Sequence, residues 1–210
     1  MIEFENWGLI DYKIAWDKQK EIYNKLLNNK DLKGVFVVCQ HPTVITLGRN
    51  SKISNILFKP EFLEQMGVKI YEIERGGDVT LHNPGQIVGY PIFNLTHFKQ
   101  DLHWFLREIE QSLIDLIAKY NIIGSRLDGL TGVWIDGKRK IAAIGLHCSR
   151  WITSHGFALN VNNNLLEFSY IVPCGISDKE VTSIGKELGK EIDIETVIND
   201  CKEIFLEKFK

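Results

Sequence analysis

The sequence predicts an α+β fold, a mixed, largely antiparallel sheet packed with helices on one side. Three observations carry that prediction. Two long segments repeat apolar residues at helical spacing, and the middle of the chain is made of short runs rich in Val, Ile and Thr. Asp136-Gly137 separates two of those runs, a strong signal for an antiparallel hairpin with a type I′ turn. At 210 residues, with no linker, internal repeat or low-complexity segment, the chain reads as a single domain, 1–210.

Taken in order, Asp11 to Asn29 predicts an amphipathic helix, because Tyr12, Ala15, Trp16, Ile22, Tyr23, Leu26 and Leu27 recur three or four residues apart. Gly34 to Cys39 and Thr43 to Leu47 are β-rich runs split by His41-Pro42 and read as neighbouring strands. Lys59 to Gly67 predicts a short helix closed by glycine, and the strand Val68 to Glu74 follows it. That strand leads into Arg75-Gly-Gly-Asp-Val-Thr-Leu-His-Asn-Pro-Gly-Gln86, where glycines permit close approach of a ligand and Pro84-Gly85 fits the centre of a type II turn. The plain alternative for this stretch is a hairpin with a polar rim. Gln86 to Phe93 is a further strand, with Pro91 expected at an edge or a bulge because it has no N–H to donate. Asp101 to Asn121 carries the clearest apolar stripe: Leu102, Phe105, Ile109, Leu113, Leu116, Ile117 and Tyr120. Gly132 to Ile135 and Lys140 to Leu146 flank the Asp136-Gly137 turn, Trp151 to Val161 makes another strand, and Asp193 to Phe209 closes as a helix.

Composition narrows the function. A net charge of -2 gives no reason to expect nucleic acid, and no run of apolar residues approaches the length of a membrane span. Met1-Ile-Glu-Phe-Glu-Asn-Trp7 carries acids where a signal peptide needs cations, so a cytoplasmic protein is expected. Cysteines 39, 148, 174 and 201 are widely spaced, which argues against a disulfide framework and a thiolate zinc site. His147 and His155 match no metal pattern, and there is neither a P-loop nor a dinucleotide-binding fingerprint. No metal and no cofactor are therefore expected.

Cys174 lies between Pro173 and Gly175, in a setting suited to a nucleophile, although a buried small apolar residue is its plain alternative. A thiol of ordinary pKa, near ~8.5, is only about 3% thiolate at neutral pH, so reactivity calls for a neighbouring cation, base or set of backbone donors. Lys138 and Lys140 are the candidate partners, spaced to share a face of a strand. Lys140 lies deeper in the apolar run Ile141 to Gly145, and Lys138 is closer to the turn; spacing alone does not choose between them. His155 either positions backbone around a substrate or is a satisfied core histidine.

Read together, the Arg75–Gln86 motif with Tyr90-Pro-Ile92, Lys140-Ile-Ala-Ala-Ile-Gly145, His155-Gly-Phe-Ala-Leu-Asn160 and Pro173-Cys-Gly175 closely resemble the octanoyltransferases of protein lipoylation. The resemblance runs from about Val35 to about Gly185, through Thr46-Leu-Gly-Arg49, and a set of separated motifs in one order is far more specific than any one of them. It implies a fold shared with the catalytic domains of biotin and lipoate protein ligases. It also implies an acyltransferase that moves an octanoyl group from octanoyl-acyl carrier protein to a lysine of a lipoyl domain, through a cysteine acyl-thioester, as the first step of endogenous lipoate synthesis. The acceptors implied are the lipoyl domains of 2-oxoacid dehydrogenases and the glycine cleavage H protein.

Carried over by position, Cys174 becomes the nucleophile and Lys140 its activating, proton-shuttling partner. Arg75, Gly76, Gly77, Asp78, Val79, Thr80, Leu81 and His82, with Ala143, Ile144 and Gly145 and with Gly156, Phe157 and Ala158, become the substrate-binding walls. Asp78 and Asn83 are the weaker candidates for direct contact, through backbone rather than side chain. Oxyanion donors are sought near Gly77 or Gly175, and Arg49, Arg126, Lys138, Arg139 and Arg150 are candidate docking cations for an acidic carrier protein. Burying an eight-carbon chain is worth about 5 kcal/mol at ~0.8 per methylene, enough to select acyl length. The rivals are an ATP-dependent lipoate ligase of the same fold, which has no need of Cys174, and a non-catalytic acyl-binding or lipoyl-domain-binding module.

Overall fold

The computed structural model describes residues 1–29, 31–172 and 179–210. In chain order its first half contains β1 (Ile2–Leu9), α1 (Tyr12–Asn28), β2 (Gly34–Gln40), β3 (Val44–Leu47), α2 (Pro60–Gln65), β4 (Lys69–Glu72), β5 (Val79–His82) and β6 (Gln86–Phe93). The second half adds α3 (Leu102–Ala118), β7 (Ser125–Leu127), β8 (Leu130–Ile135), β9 (Arg139–Ser149), β10 (Ile152–Asn160), β11 (Glu180–Val181), α4 (Ile184–Leu188) and α5 (Ile194–Lys208). The long helices begin where an aspartate can cap them. Asp11 accepts from the N–H of Lys13 at 2.8 Å, Asp101 from Trp104 at 2.9 Å and Asp193 from Thr196 at 3.1 Å, each satisfying a donor that the first helical turn leaves unpaired.

The strands form two sheets. The larger has the order β1-β2-β6-β10-β9-β8-β7, with β11 added along the start of β9, and the smaller has the order β4-β3-β5. Most neighbouring pairs are antiparallel, while β1 with β2, β3 with β4 and β11 with β9 run parallel. The mixed, largely antiparallel α+β arrangement is as expected, but its layering corrects the sequence reading in several places.

Helices cover both faces of the large sheet. Along β2, Val35, Val37 and Cys39 pack with Ala15, Ile22 and Leu26 of α1, whereas Phe36 and Val38 pack with α3 and α5. Strand alternation sends successive residues to opposite faces, and both sets are buried, so each face must be covered. The runs ending in Cys39 and Leu47 are not neighbours, because β2 pairs with β1 and β6 while β3 is the centre of the small sheet. The stretch Arg75–Gln86 is likewise no hairpin: β5 belongs to the small sheet and β6 to the large one, so the turn at Pro84-Gly85 carries the chain between them. Gly85 has φ of +88° and the N–H of Gln86 reaches the carbonyl of Asn83 at 3.1 Å, as a type II turn requires.

Pro91 lies inside the large sheet, paired with Phe36 on one side. Its missing donor is accommodated on the other side, where the β6–β10 ladder stops at Gly89 and Phe157. There the hydroxyl of Thr153 donates to the Pro91 carbonyl at 2.7 Å and accepts from the Phe93 N–H at 2.9 Å, and His155 takes φ of +58°. The Asp136-Gly137 turn forms as read, with φ of 50° and 66°. β1 was not anticipated. Its alternation of Ile2 and Phe4 with Glu3 and Glu5 is a strand signal, and Ile2 and Phe4 pack against the main core. Among the described residues no helix is long and apolar enough to cross a membrane.

Candidate active site

Between the small sheet and the α1 face of the large one lies a cavity of about 360 Å³, at the small end of the range for ligand sites. The local sequence explains its walls. β5 presents Thr80 and His82 to it, while Leu81 turns away into the small sheet's own core with Ile45, Leu63 and Phe168. β6 contributes Val88 and Tyr90, β9 contributes Lys140, Ala143, Ile144 and Gly145, and β10 contributes Gly156, Phe157 and Ala158. Tyr12, at the first turn of α1, closes one side.

Most residues expected in the substrate walls therefore meet at one place: Arg75, Gly77, Asp78, Val79, Thr80, His82, Ala143–Gly145 and Gly156–Ala158 all line the cavity, as does Lys140. Gly76 and Leu81 do not. Gly76 instead donates its N–H to Leu146 at 2.8 Å, pinning the Arg75 loop to β9. The approach is close: a Cβ on Gly145 would stand 2.8 Å from the Gly76 carbonyl and 3.0 Å from Cδ of Arg75, so a side chain there would push the loop away. Cys174 lies outside the described residues.

Arg75 is a buried cation built into the wall. Its Nε donates to Thr46 Oγ1 at 3.2 Å, its Nη2 to the Thr46 carbonyl at 2.8 Å and its Nη1 to the Gly76 carbonyl at 3.1 Å. Beside it are three buried histidines that stay neutral. Burial, His41 and Arg75 bring His82 down to about 3, burial brings His41 down to about 4, and burial with Arg75 brings His155 down to about 3. Their tautomers follow from their partners. Gln86 gives its Nε2 donors to the Leu81 carbonyl and Asn160 Oδ1, so its Oε1 accepts at 2.7 Å from Nδ1–H of His82, leaving Nε2 of His82 as the acceptor. His41 donates from Nδ1 to the Ile10 carbonyl and accepts at Nε2 from the Tyr90 hydroxyl, both at 2.7 Å. Tyr12 stacks on His82 with ring centroids 6.0 Å apart and planes at 10°. The inner part of the cavity is thus lined by aromatic and small apolar groups, with the Tyr90 hydroxyl and Nδ1 of His82 already paired, a surface suited to a hydrocarbon chain.

The two candidate lysines separate clearly. Lys138 is an exposed turn residue, and Lys140 is 9% exposed with its Nζ 4.6 Å from the centroid of the Trp134 ring. The flanks of 173–178 are both tied to the cavity. Val172 donates to the Asn55 carbonyl at 2.8 Å, Asn55 donates to cavity-lining Asp78 at 2.6 Å, and Val181 pairs with Lys140. The side chains of Asp78 and Asn83 are held in hydrogen bonds within the protein. Asp78 also accepts from the Val79 N–H, and Asn83 donates to Glu167 and to the Asn164 carbonyl. Of the expected docking cations, Arg126 is paired with buried Glu110 and Arg139 with Glu187, each at 3.0 Å, so they brace the fold. Arg49 donates to His147 Nδ1 at 3.2 Å, while Arg150 and Lys138 are exposed.

Sequence reasoning missed Tyr12, Asn50, Val88 and the Gly129–Thr131 rim. Tyr12 and Val88 carry only the apolar periodicity of their elements, and nothing local says that a helix start and a central strand will meet. Tyr90 stood in a quoted motif without an assigned role, and His155, read as either a backbone-positioning residue or a satisfied core histidine, lines the cavity too. Among the described residues no group of three ligating side chains is placed to hold a metal.

The lipoyl protein ligase A/B catalytic domain model matches residues 11–206. The chain is 47% identical over 210 residues to an octanoyltransferase of Cytophaga hutchinsonii, covering 92% of this chain and 86% of that protein. It is 44% identical over 200 residues to an octanoyltransferase of Bacteroides fragilis, covering 91% and 90%. Among solved structures, a bi-partite lipoate protein ligase from Thermoplasma acidophilum is similar in fold, with TM-score 0.72 at 12% identity over 98% of this chain and 82% of that one. Biotin protein ligase from Aquifex aeolicus is more distant, with TM-score 0.56 at 15% identity over 99% and 69%. The chain therefore belongs to the lipoyl protein ligase A/B catalytic domain family and, within it, to the octanoyltransferases, acyltransferases of lipoate biosynthesis.

Proposed function

We propose that the octanoyl group arrives on acyl carrier protein, passes to Cys174 as a thioester and leaves on the lysine amine of a lipoyl domain, as found in 2-oxoacid dehydrogenases and the glycine cleavage H protein. The observation that carries this reading is the burial of Lys140 in the wall of the inter-sheet cavity, with Val181, just beyond the Cys174 segment, paired to it. The Cys174 thiolate attacks the donor carbonyl, and the departing pantetheine thiolate takes a proton from the Lys140 ammonium. The acceptor amine then attacks the Cys174 thioester, gives its proton to Lys140 and expels the Cys174 thiolate, restoring the starting state. Thioester exchange is nearly balanced and amide formation is downhill, so the sequence of steps needs no nucleotide. The acyl chain lies along Val88, Tyr90 and Ala158, with Tyr12 and His82 closing the pocket.

Incubation with octanoyl-acyl carrier protein and no nucleotide, followed by intact-protein mass spectrometry, tests this directly. A single octanoyl adduct is expected, absent from Cys174→Ala. No adduct on the wild-type protein, or one that persists in Cys174→Ala, sinks the reading. Lys140→Ala should slow alkylation of Cys174 at neutral pH, and an unaltered rate–pH profile would remove the lysine from that role.

A further inference from the structure

A second cavity, of about 290 Å³, opens between α1 and the β9–β10 hairpin and shares His155 with the first. No step of the transfer uses it. On β9 it begins at His147, two residues beyond Gly145 of the first cavity, so the two spaces adjoin along one strand. Its chemistry differs from that of the acyl pocket. Trp16 and Tyr23 supply aromatic walls, Ser149 and Ser154 add polar groups, and Lys20 stands exposed at the rim with its ammonium 4.2 Å from the Trp16 ring centroid.

One side chain in this cavity is incompletely satisfied. Gln19 is 2% exposed, and its Oε1 accepts from the His155 N–H at 3.0 Å, which fixes the orientation of the amide. Its Nε2 is buried and has no hydrogen-bond partner among the described residues. A buried amide donor with nothing to bond costs on the order of 1–3 kcal/mol, a cost that a ligand carbonyl would remove. The backbone it braces is unusual as well, since His155 holds φ of +58° where the β6–β10 ladder is open.

We infer that this second cavity receives the phosphopantetheine arm of the acyl donor; the inference rests on the thioester-donor reading above. The arm carries two amides, a hydroxyl and a gem-dimethyl group between its thiol and its phosphate. Gln19 Nε2 donates to the carbonyl of the amide farther from the thiol, Glu74 offers a carboxylate to that amide's N–H, Trp16 and Tyr23 pack the gem-dimethyl group, and Lys20 meets the phosphate. An arm lying here brings its thioester end toward Gly145 and Lys140 while the octanoyl chain fills the first cavity.

The test compares two octanoyl thioesters that share the acyl group and differ in the arm. Octanoyl-pantetheine has both amides and the gem-dimethyl group, and octanoyl-N-acetylcysteamine ends after the first amide. Gln19→Glu, which keeps the acceptor for His155 and loses the donor, and Ser154→Ala, at the cavity rim, should each raise KM for octanoyl-pantetheine several-fold. Both should leave KM for octanoyl-N-acetylcysteamine unchanged. Equal changes for the two thioesters, or none for either, overturn the inference. Lys20→Ala should weaken octanoyl-acyl carrier protein and octanoyl-coenzyme A while sparing unphosphorylated octanoyl-pantetheine; a loss confined to the carrier protein would assign Lys20 to the protein surface and overturn its phosphate role. If the wild-type protein turns over none of these thioesters, the donor reading itself fails and the inference falls with it, an outcome distinct from matched KM values.

Discussion

The two faces of the large sheet are made by the same strands, yet one is closed and the other is left open. On the α3/α5 face, Phe36 stacks on Phe205 with centroids 4.5 Å apart, Phe157 stacks on Phe205 at 5.1 Å, and Phe93, Phe105 and Phe209 complete an aromatic core. On the α1 face, Val88, Tyr90 and Ala158 look partly into space, and the polar atoms of His41, Tyr90, Gln86 and His82 are committed to one another. One face stabilises the fold by filling its volume. The other holds a void open and accepts the cost of burying polar groups, a cost reduced where they pair, as His41 does with Tyr90 and His82 with Gln86. The close-packed core and the candidate site thus fall on opposite sides of a single sheet, with Phe157 touching both.

The sharpest way to break that division is to remove one residue from each side. Lys140→Ala, on the open face, should cut octanoyl transfer by roughly 10²–10⁴-fold, the usual range for a proton-transfer group, with little change in the thermal unfolding midpoint. Phe205→Ala, on the closed face, should cost about 3–5 kcal/mol in denaturant unfolding, while the folded fraction keeps its kcat. A large activity loss in the folded Phe205 variant, or an unfolding loss of similar size in Lys140→Ala, would show that the faces are not separable.

Acid should act through the open face. His41, His82 and His155 have folded values near 4, 3 and 3 against an ordinary 6.5, so below about 6.5 the unfolded chain binds protons that the folded chain does not. Their contribution is fully present above that pH and is lost as pH falls toward 4 and 3, at up to about 1.4 kcal/mol per pH unit for each histidine. Urea unfolding across pH 4–7 checks the slope. In His82→Asn the acid limb should flatten by about one proton, and an unchanged slope would place the acid sensitivity elsewhere.

The smallest effect concerns acyl length. Ala158→Val adds bulk to the pocket, and each methylene it displaces is worth about 0.8 kcal/mol, roughly fourfold in binding. Relative kcat/KM should move from octanoyl toward hexanoyl donors by several-fold. No shift would mean that the chain does not lie along Ala158.

Much of this arrangement is legible in the sequence because its signals are local. Helix faces, the aspartate caps and the Asp136-Gly137 turn depend on residues a few positions apart, and the separated motifs identify the chemistry. The errors have a common cause. Period-two burial on both faces says that β2 is covered twice but not by which helices, and the turn after Asn83 looks the same whether it joins partners in one sheet or strands in two. Pro91 was expected at an edge or bulge, since the Thr153 hydroxyl that compensates for it comes from 62 residues away.

Sequence alone determines the family, the reaction class and the identity of the nucleophile and lysine candidates, because those reside in residue types and their order. Tertiary structure decides that Lys140 is buried against Trp134 while Lys138 is exposed, that Leu81 turns away from the cavity its neighbours line, and that Tyr12 closes it. Those outcomes depend on contacts such as Arg75 with Thr46 and Gln19 with His155, which form only when distant segments pack and for which no local periodicity exists.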